Sequence, residues 1–295
     1  MKSARTLSPA KINLGLEILG KRDDGFHEIR TIMQAISLTD QISVTAAATN
    51  SIESSDSTLE NDDNLALRAA TLWTERLDAS KRSLAISMRK SIPVAAGLGG
   101  ASSNAATVLT LARALYAAPV VDSDLDSVAA SLGSDVPFFL HSTAALASGR
   151  GEMLDPLPPL ADATFILVTP NVEIARKTVT MYGQLTPSDF SDGSGIASLA
   201  ARMVAGNPLE SGDLRNAFER PLLHFLPELE GIPSIMRSLC GHRVGLSGAG
   251  PTWYAAVNSP DEANRLAASL CERLLNVRVE TAQALTLRPE IEFFR

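Results

Sequence analysis

Of all the features of the sequence, a glycine-rich segment limits the possible folds of this chain the most. It reads Pro93-Val94-Ala95-Ala96-Gly97-Leu98-Gly99-Gly100-Ala101-Ser102-Ser103. Before it, residues 84–88 alternate as in a strand, and after it residues 102–116 carry apolar side chains at helical spacing. The sequence therefore predicts a strand, a glycine loop and a helix that begins at the loop.

Such a loop can bind a phosphate group, because glycines let the backbone approach an anion and the first N–H groups of a helix have no partner within it. Ser102 and Ser103 can add hydroxyl donors or reach a magnesium ion. The alternative is a tight turn with a serine N-cap, which needs only one glycine and one serine. Three glycines in four positions, followed by two serines, favour phosphate binding.

The other patterns indicate an α+β fold. Residues 11–19 alternate between apolar and polar side chains, which is typical of a half-buried strand, and residues 20–25 follow as a turn. A helix is predicted after Asp63, and another over residues 124–132. The proline-rich run 155–159 is the candidate boundary between two domains, residues 1–157 and 158–295.

Composition excludes several classes of protein. A net charge of -7 argues against nucleic acid as a partner, since that partner calls for a basic surface. No apolar run reaches the roughly 20 residues that span a bilayer, so we expect no membrane partner and a cytoplasmic location. Cys240 and Cys271 are far apart and indicate neither a disulfide nor a zinc site. Residues 186–195, rich in Ser, Asp and Gly, are predicted to form a mobile surface loop.

Five motifs follow one another in a recognisable order. They are Ser8-Pro9-Ala10-Lys11-Ile12-Asn13-Leu14, Gly25-Phe26-His27, the loop 93–103, Leu132-Gly133-Ser134-Asp135-Val136-Pro137-Phe138-Phe139 and Leu246-Ser247-Gly248-Ala249-Gly250-Pro251-Thr252. This order resembles that of the GHMP kinases. The resemblance implies an N-terminal domain of the ribosomal protein S5 domain 2-like type, a C-terminal ferredoxin-like domain and an active site between them. The first two motifs narrow it to the branch that phosphorylates a cytidine-diphosphate-linked sugar alcohol.

The resemblance also implies roles for individual residues. Lys11 and Asp135 would be the catalytic pair, and the loop 93–103 would bind ATP with Mg²⁺, whose protein ligands stay unknown. Asn64 and Lys90 would contact the base or ribose of the nucleotide. The cytidine end of the acceptor would meet the four residues Asn13, Phe26, His27 and Tyr182.

Without the resemblance, these residues have ordinary interpretations. Lys11 would be a solvated charge and Asp135 a helix N-cap. Tyr182 would be a core tyrosine, and Phe26 and His27 a core and a surface residue. The competing functions are another GHMP kinase, of the homoserine or mevalonate type, and a sensing protein that kept the fold without the chemistry. The expected partners are small molecules, and the expected assembly is a monomer or a weak homodimer.

Overall fold

The computed structural model describes residues 2–78, 80–210 and 212–294, which form two β-sheets with helices packed against them. The strands of the first sheet are β1 (Ser3–Lys21), β2 (His27–Ala47), β3 (Ser51–Ser54), β4 (Ser83–Arg89), β5 (Ala144–Ser148), β6 (Met153–Pro156) and β11 (Glu292–Phe294). Their order is β11-β1-β2-β4-β3, and β5 pairs with both β2 and β6. The helices that follow β3 and β4 are α1 (Leu65–Leu72), α2 (Gly100–Tyr116), α3 (Asp122–Leu132) and α4 (Val136–His141).

The second sheet has four antiparallel strands in the order β10-β7-β9-β8. These strands are β7 (Thr164–Pro170), β8 (Val244–Leu246), β9 (Trp253–Val257) and β10 (Val277–Gln283). The helices are α5 (Lys177–Gly183), α6 (Ser194–Val204), α7 (Glu219–Phe225), α8 (Gly231–Cys240) and α9 (Pro260–Arg273). Helices between β7 and β8 and between β9 and β10 make this the split β-α-β arrangement of ferredoxin-like folds. The predicted α+β class is confirmed.

The strand β1 joins the two sheets and is buried on both faces. Ile12 lies in an apolar cluster with residues of the second sheet, and the Tyr254 hydroxyl donates to the carbonyl of Asn13 at 2.7 Å. On the other face, Lys11 and Asn13 are only 4% and 2% exposed. The prediction of a half-buried strand is therefore wrong, because the second sheet covers the apolar face and the polar face lines a cavity.

A bulge bends β1 just after these polar residues. The pairing of β1 with β2 shifts between Asn13 and Leu16, and Gly15 between them has a φ of +80°. A Cβ at Gly15 would stand 2.7 Å from the Cδ1 atom of Ile196, so a larger residue would clash with α6. Bulges increase local twist and re-aim neighbouring side chains. This one lies next to the polar residues of β1.

The end of the chain returns to the first sheet. The short strand β11 pairs with the start of β1, and the Leu285 N–H donates to the carbonyl of Ala35 at 2.9 Å. The division at residues 157 and 158 thus remains a prediction, and Leu285 and Ile291 near the end of the chain pack against the core of the first sheet. No helix in residues 2–78, 80–210 and 212–294 combines the length and the apolar character that a membrane crossing requires.

Residues 186–195 are more ordered than the sequence suggests. Pro187–Asp189 form a 3-10 helix, and α6 begins at Ser194. The guanidinium of Arg220 donates to both carboxylate oxygens of Asp189 at 2.6 and 2.5 Å, and it lowers the pKa of that carboxyl to about 2. An ion pair with α7 thus ties part of this segment to the second sheet's helices, while its mobility remains a prediction.

Candidate active site

Residues with bulky side chains would destabilise the backbone conformation of the glycine loop. Ala95, Gly97 and Gly99 all have positive φ angles, of 54°, 85° and 71°. A Cβ at Gly97 would stand 2.3 Å from the carbonyl oxygen of Ser247 and 2.7 Å from that of Gly250. The Ser247 hydroxyl in turn donates to the Gly97 carbonyl at 2.9 Å. The loop from the first half of the chain is thus docked directly on the turn between β8 and β9.

The start of α2 leaves donors available for an anion. Gly99 is its N-cap and has no side chain to bond the first N–H groups, and residues 100–102 line the cavity described below. Ser103 points elsewhere, since it is fully buried and its Oγ atom lies 2.8 Å from Oγ of Ser8. The expected contact between the Ser103 side chain and the nucleotide is therefore corrected. Its hydroxyl fixes α2 to β1 instead, while Ser102 faces the cavity.

Lys11 and Asp135 meet across the same opening. The Lys11 ammonium is 3.5 Å from the Oδ2 atom of Asp135 and donates to Oδ1 of Asn13 at 2.6 Å. The Asn13 amide then donates to the Thr31 hydroxyl at 2.9 Å. Lys11 is buried, and is therefore not the solvated charge of the ordinary interpretation.

Asp135 occupies the N-cap position of α4, yet its side chain accepts no capping hydrogen bond. With 34% of its side chain exposed, the carboxylate can reach a ligand as well as Lys11. The helix-cap interpretation accounts for its position in the chain. It does not account for a carboxylate turned towards a buried lysine, so the structure favours a chemical role.

A cavity of about 690 Å³ connects these groups. Its volume falls in the range of about 300–1,000 Å³ that is usual for small-molecule sites. The predicted residues in its wall are Lys11, Asn13, Asn64, Lys90, Pro93, Val94, Ala95, Ala96, Gly97, Leu98, Gly99, Gly100, Ala101, Ser102, Asp135 and Tyr182. Three predicted residues, Phe26, His27 and Ser103, are outside this set.

The two residues predicted to contact the nucleotide both have structural partners. The Asn64 side chain caps α1 by accepting from the Ala66 N–H at 2.9 Å. The Lys90 ammonium forms an ion pair with the fully buried carboxylate of Asp40, which also accepts from the N–H groups of Ser91 and Ile92 at 2.7 and 2.9 Å. These contacts fix the segment that leads into the glycine loop. Contact of either side chain with a nucleotide remains a prediction.

We predict that Asp40→Ala destabilises the protein by about 3–5 kcal/mol, because it leaves the Lys90 ammonium without its counter-charge and two backbone N–H groups without an acceptor. Urea denaturation measures this loss. Glu292→Ala is the control, since it breaks the exposed pair with Arg5 and such pairs contribute about 0–1 kcal/mol. Similar losses in the two variants would contradict a structural role for the Asp40 pair.

Aromatic rings gather at one edge of the cavity. The ring of His27 lies 5.1 Å from that of Tyr182, which contacts Phe218 at 4.9 Å, centroid to centroid. Burial, followed by the charge of Lys21, lowers the pKa of His27 below its usual value, which favours a neutral ring with one donor and one acceptor. Phe26 is more exposed, at 54%, and the Arg150 guanidinium covers its ring at 4.9 Å.

Burial, and then the charge of Asp135, raises the pKa of Tyr182 to about 12. Its hydroxyl therefore stays protonated at neutral pH. The helix α5 brings this tyrosine to the cavity, so that the site combines groups from both sheets. Tyr182 is partly buried and packs against the apolar cluster of the second sheet, while its ring also forms part of the cavity wall.

Sequence reasoning missed two cations of the cavity wall. Arg150 lies in the turn between β5 and β6, and Lys177 is the first residue of α5. The Lys177 ammonium donates to the Gly250 carbonyl at 2.6 Å. Burial and the nearby Lys11 lower its pKa to about 8, against a smaller opposing effect of Asp135. The sequence held one signal for Lys177, namely its place in the first turn of a helix, where the helix dipole disfavours a positive charge.

Comparison with known proteins defines the class. The family model described as GHMP kinases N terminal domain matches residues 64–143. The fold also resembles a homoserine kinase from Cytophaga hutchinsonii, with a TM-score of 0.75 and 14% identity over 98% of this chain and 97% of that one. The family match, together with the relatives described next, defines a GHMP kinase, which is an ATP-dependent kinase of small molecules.

Relatives with higher sequence identity identify the family within this class. Proteins of Dehalococcoides mccartyi and Thermus thermophilus named 4-diphosphocytidyl-2-C-methyl-D-erythritol kinase are 34% and 36% identical to this chain. The alignments cover 90% of this chain and 94% and 91% of the relatives. A crystal structure of 4-(cytidine 5'-diphospho)-2C-methyl-D-erythritol kinase has a TM-score of 0.80 and 33% identity over 95% of this chain and 98% of that one. The chain belongs to the 4-diphosphocytidyl-2-C-methyl-D-erythritol kinase family.

Proposed function

We propose that this enzyme transfers the γ-phosphate of ATP to a hydroxyl of 4-diphosphocytidyl-2-C-methyl-D-erythritol, the 2-hydroxyl by analogy with the family, in the non-mevalonate route to isoprenoid precursors. The main support is that one cavity combines the glycine loop with the Lys11–Asp135 pair. The His27–Tyr182 ring pair at its edge suits the cytidine end of such an acceptor. A cytoplasmic location and a monomer or weak homodimer belong to the same proposal.

Asp135 is suited to orient the acceptor hydroxyl. A carboxyl has a pKa near 3.9 and an alcohol is close to water at about 15.7, so complete deprotonation before attack would cost roughly 16 kcal/mol. A loose transition state needs little charge on the nucleophile early in the reaction. The acceptor oxygen therefore forms its bond to the γ-phosphorus while the bond to the bridging oxygen of ADP breaks. The hydroxyl proton passes late to Asp135.

Lys11 holds this carboxylate and adds positive charge where negative charge develops. Its ammonium keeps a hydrogen bond to Asn13 while it remains within 3.5 Å of Asp135, so that its position is fixed before any substrate binds. Such preorganised charge costs no rearrangement during the reaction. The N–H groups at the start of α2 supply further donors for the phosphates of ATP.

The residues present fit a magnesium ion that is bound mainly by the ATP phosphates. Mg²⁺ usually keeps several waters and takes only one or two carboxylates from the protein. Asp135 and the Ser102 hydroxyl, which lies beside Gly133, are the candidates to hold it. When bound, the ion would neutralise charge on the transferring phosphates. Within the described ranges, no group of three or more His, Cys, Asp or Glu side chains is arranged to hold a metal.

Two other functions fit the site less well. A homoserine or mevalonate kinase would not need aromatic rings near the acceptor, because neither substrate carries a base. A sensing protein would not need the Lys11–Asp135 pair. Turnover of ATP with the cytidine-linked acceptor, its uridine analogue, homoserine and mevalonate distinguishes these functions. We expect turnover with the cytidine compound, and a preference for homoserine or mevalonate would contradict the proposal.

We predict that His27→Ala and Phe26→Ala impair the cytidine-linked acceptor while sparing ATP. A base stacked on an aromatic ring contributes about 1–3 kcal/mol, which corresponds to a loss of roughly 5- to 150-fold in kcat/KM. His27 should have the larger effect, since its ring is packed between Tyr182 and Phe190, whereas Phe26 is exposed. Its loss should also reduce the preference for cytidine over uridine, because polar edges discriminate more strongly than apolar walls.

The control is His242→Ala, which removes an exposed histidine outside the cavity wall. The kcat/KM values for the cytidine and uridine acceptors are measured in all three variants. An unchanged preference for cytidine in both His27→Ala and Phe26→Ala would refute the assignment of a pyrimidine pocket.

A further inference from the structure

A second lysine, Lys177, is half-buried and lines the cavity of the proposed phosphoryl-transfer site. Lys177 comes from α5, whereas Lys11 comes from β1. Both line the same cavity, and the charge of Lys11 contributes to lowering the pKa of Lys177, so the two ammonium groups are near enough to repel each other. The mechanism above uses only Lys11 and leaves Lys177 without a role.

The turn between β8 and β9 places both lysines beside the glycine loop. The Gly250 carbonyl that accepts from Lys177 is also the group that a Cβ at Gly97 would approach to 2.7 Å. At the other end of the turn, a Cβ at Gly248 would stand 3.6 Å from the Lys11 ammonium. The loop, the turn and the two ammonium groups therefore surround one small region, and Asp135 faces it from α4.

The surroundings of Lys177 favour an anion as its partner. An ammonium group has three N–H donors. Within the described part of the chain, Lys177 donates one hydrogen bond, to the Gly250 carbonyl. The charged groups that affect the pKa of Lys177 are Lys11 on β1 and Asp135, just before α4. Asp135 also affects the pKa of Tyr182 on α5. A partly buried cation beside another cation is unfavourable unless negative charge is brought to it. A phosphoryl group supplies such charge.

We propose that Lys177 is a further catalytic residue that binds the transferring phosphoryl group together with Lys11. The inference rests on the proposed kinase reaction. As the acceptor oxygen bonds to the γ-phosphorus and the bond to ADP breaks, the non-bridging oxygens accept hydrogen bonds from Lys177. The electron pair of the broken bond leaves with ADP, and the proton of the hydroxyl goes to Asp135. Lys177 keeps its proton throughout.

The test compares Lys177→Met and Lys177→Arg with the wild type, using ATP and the cytidine-linked acceptor. Methionine preserves much of the side-chain length without charge, and removal of one transition-state donor typically costs about 100- to 1,000-fold in kcat. We expect that loss, with the KM for ATP within threefold of wild type. Arginine should restore at least a tenth of the wild-type kcat. Lys2→Met, far from the cavity, is the control and should leave kcat unchanged.

The pH profile separates a chemical role from a structural one. Because the free enzyme holds Lys177 with a pKa of about 8, the wild-type kcat/KM should fall as pH rises through 8, when the charge is lost. Arginine stays charged, so Lys177→Arg should lack this decline. Thermal unfolding of each variant shows that the fold is retained.

Each of the other possible results leads to a different conclusion about Lys177 or about the reaction. A kcat of Lys177→Met within threefold of wild type overturns the inference. Equal losses in both variants with an unchanged pH profile mean that Lys177 only ties α5 to the turn, and a rate that rises through pH 8 would make it a proton acceptor instead.

A wild-type protein that turns over homoserine or mevalonate but not the cytidine compound refutes the proposed acceptor alone, since Lys177 is then tested with that substrate. A wild type without any turnover refutes the kinase reaction and the inference with it.

Discussion

Asp135→Asn should reduce kcat by about two to four decades, the usual contribution of a positioned general base, while ATP binding stays within threefold of wild type. The carboxylate faces the cavity, is 3.5 Å from Lys11 and caps no helix N–H, so its loss should affect chemistry more than folding. Asparagine keeps the shape but cannot take the proton of the hydroxyl. Steady-state kinetics and calorimetric titration of ATP measure the two effects.

The matched control is Asp122→Asn, which changes an exposed aspartate at the start of α3 that pairs with Arg113 outside the cavity. It should leave kcat within threefold of wild type. If Asp135→Asn did the same, Asp135 would be a structural residue at the start of α4, and the assignment of the catalytic pair would be wrong.

Gly97→Ala should lower kcat/KM for ATP by about 100-fold, the loss that a misplacement of about 1 Å can cause. Gly97 has a φ of +85°, and the added Cβ would stand 2.3 Å from the Ser247 carbonyl oxygen. Because that neighbour is backbone, no side-chain rotation can relieve the clash, and the loop must move away from the turn. Binding of ATP should weaken more than binding of the cytidine-linked acceptor.

Gly206→Ala is the control for backbone strain alone. Gly206 has a φ of +72° and no atom within 4 Å of the added Cβ, so the variant should lose only the roughly 1–2 kcal/mol of stability that a left-handed alanine costs. Gly99→Val is a less specific test of the loop, since a Cβ at Gly99 would press on the Lys11 side chain at 3.0 Å. An ATP affinity of Gly97→Ala equal to that of Gly206→Ala would contradict a nucleotide role for this loop.

The sequence predicts the local elements of this site well, because they depend on short-range patterns. The glycine loop, the helix after it and the position of Asp135 beyond Gly133 all follow from residue spacing. The helix predicted over residues 102–116 begins two residues earlier, at Gly100, and the one over 124–132 begins at Asp122. Both additions extend a predicted element by a fraction of a turn.

The errors concern contacts between distant parts of the chain. The burial of Lys11 depends on the glycine loop and on the turn between β8 and β9, since Cβ atoms at Gly99 and Gly248 would stand 3.0 and 3.6 Å from its side chain. The hydroxyl of Ser103 is bonded to Ser8, 95 positions away. Lys177 was missed for the same reason, since its partner Gly250 is 73 positions distant. Alternation and helical spacing describe one element at a time, and therefore give no information on which elements cover one another.

The most direct test of the proposed function follows the phosphate itself. The protein is incubated with ATP labelled in its γ-phosphate and, in separate reactions, with the cytidine-linked sugar alcohol, homoserine and mevalonate, and the labelled products are separated. We predict that the label moves to a hydroxyl of the cytidine compound, that little is released as inorganic phosphate, and that Asp135→Asn slows the transfer by about two to four decades. Label that appears only as inorganic phosphate, or equally on homoserine or mevalonate, would contradict the proposed reaction.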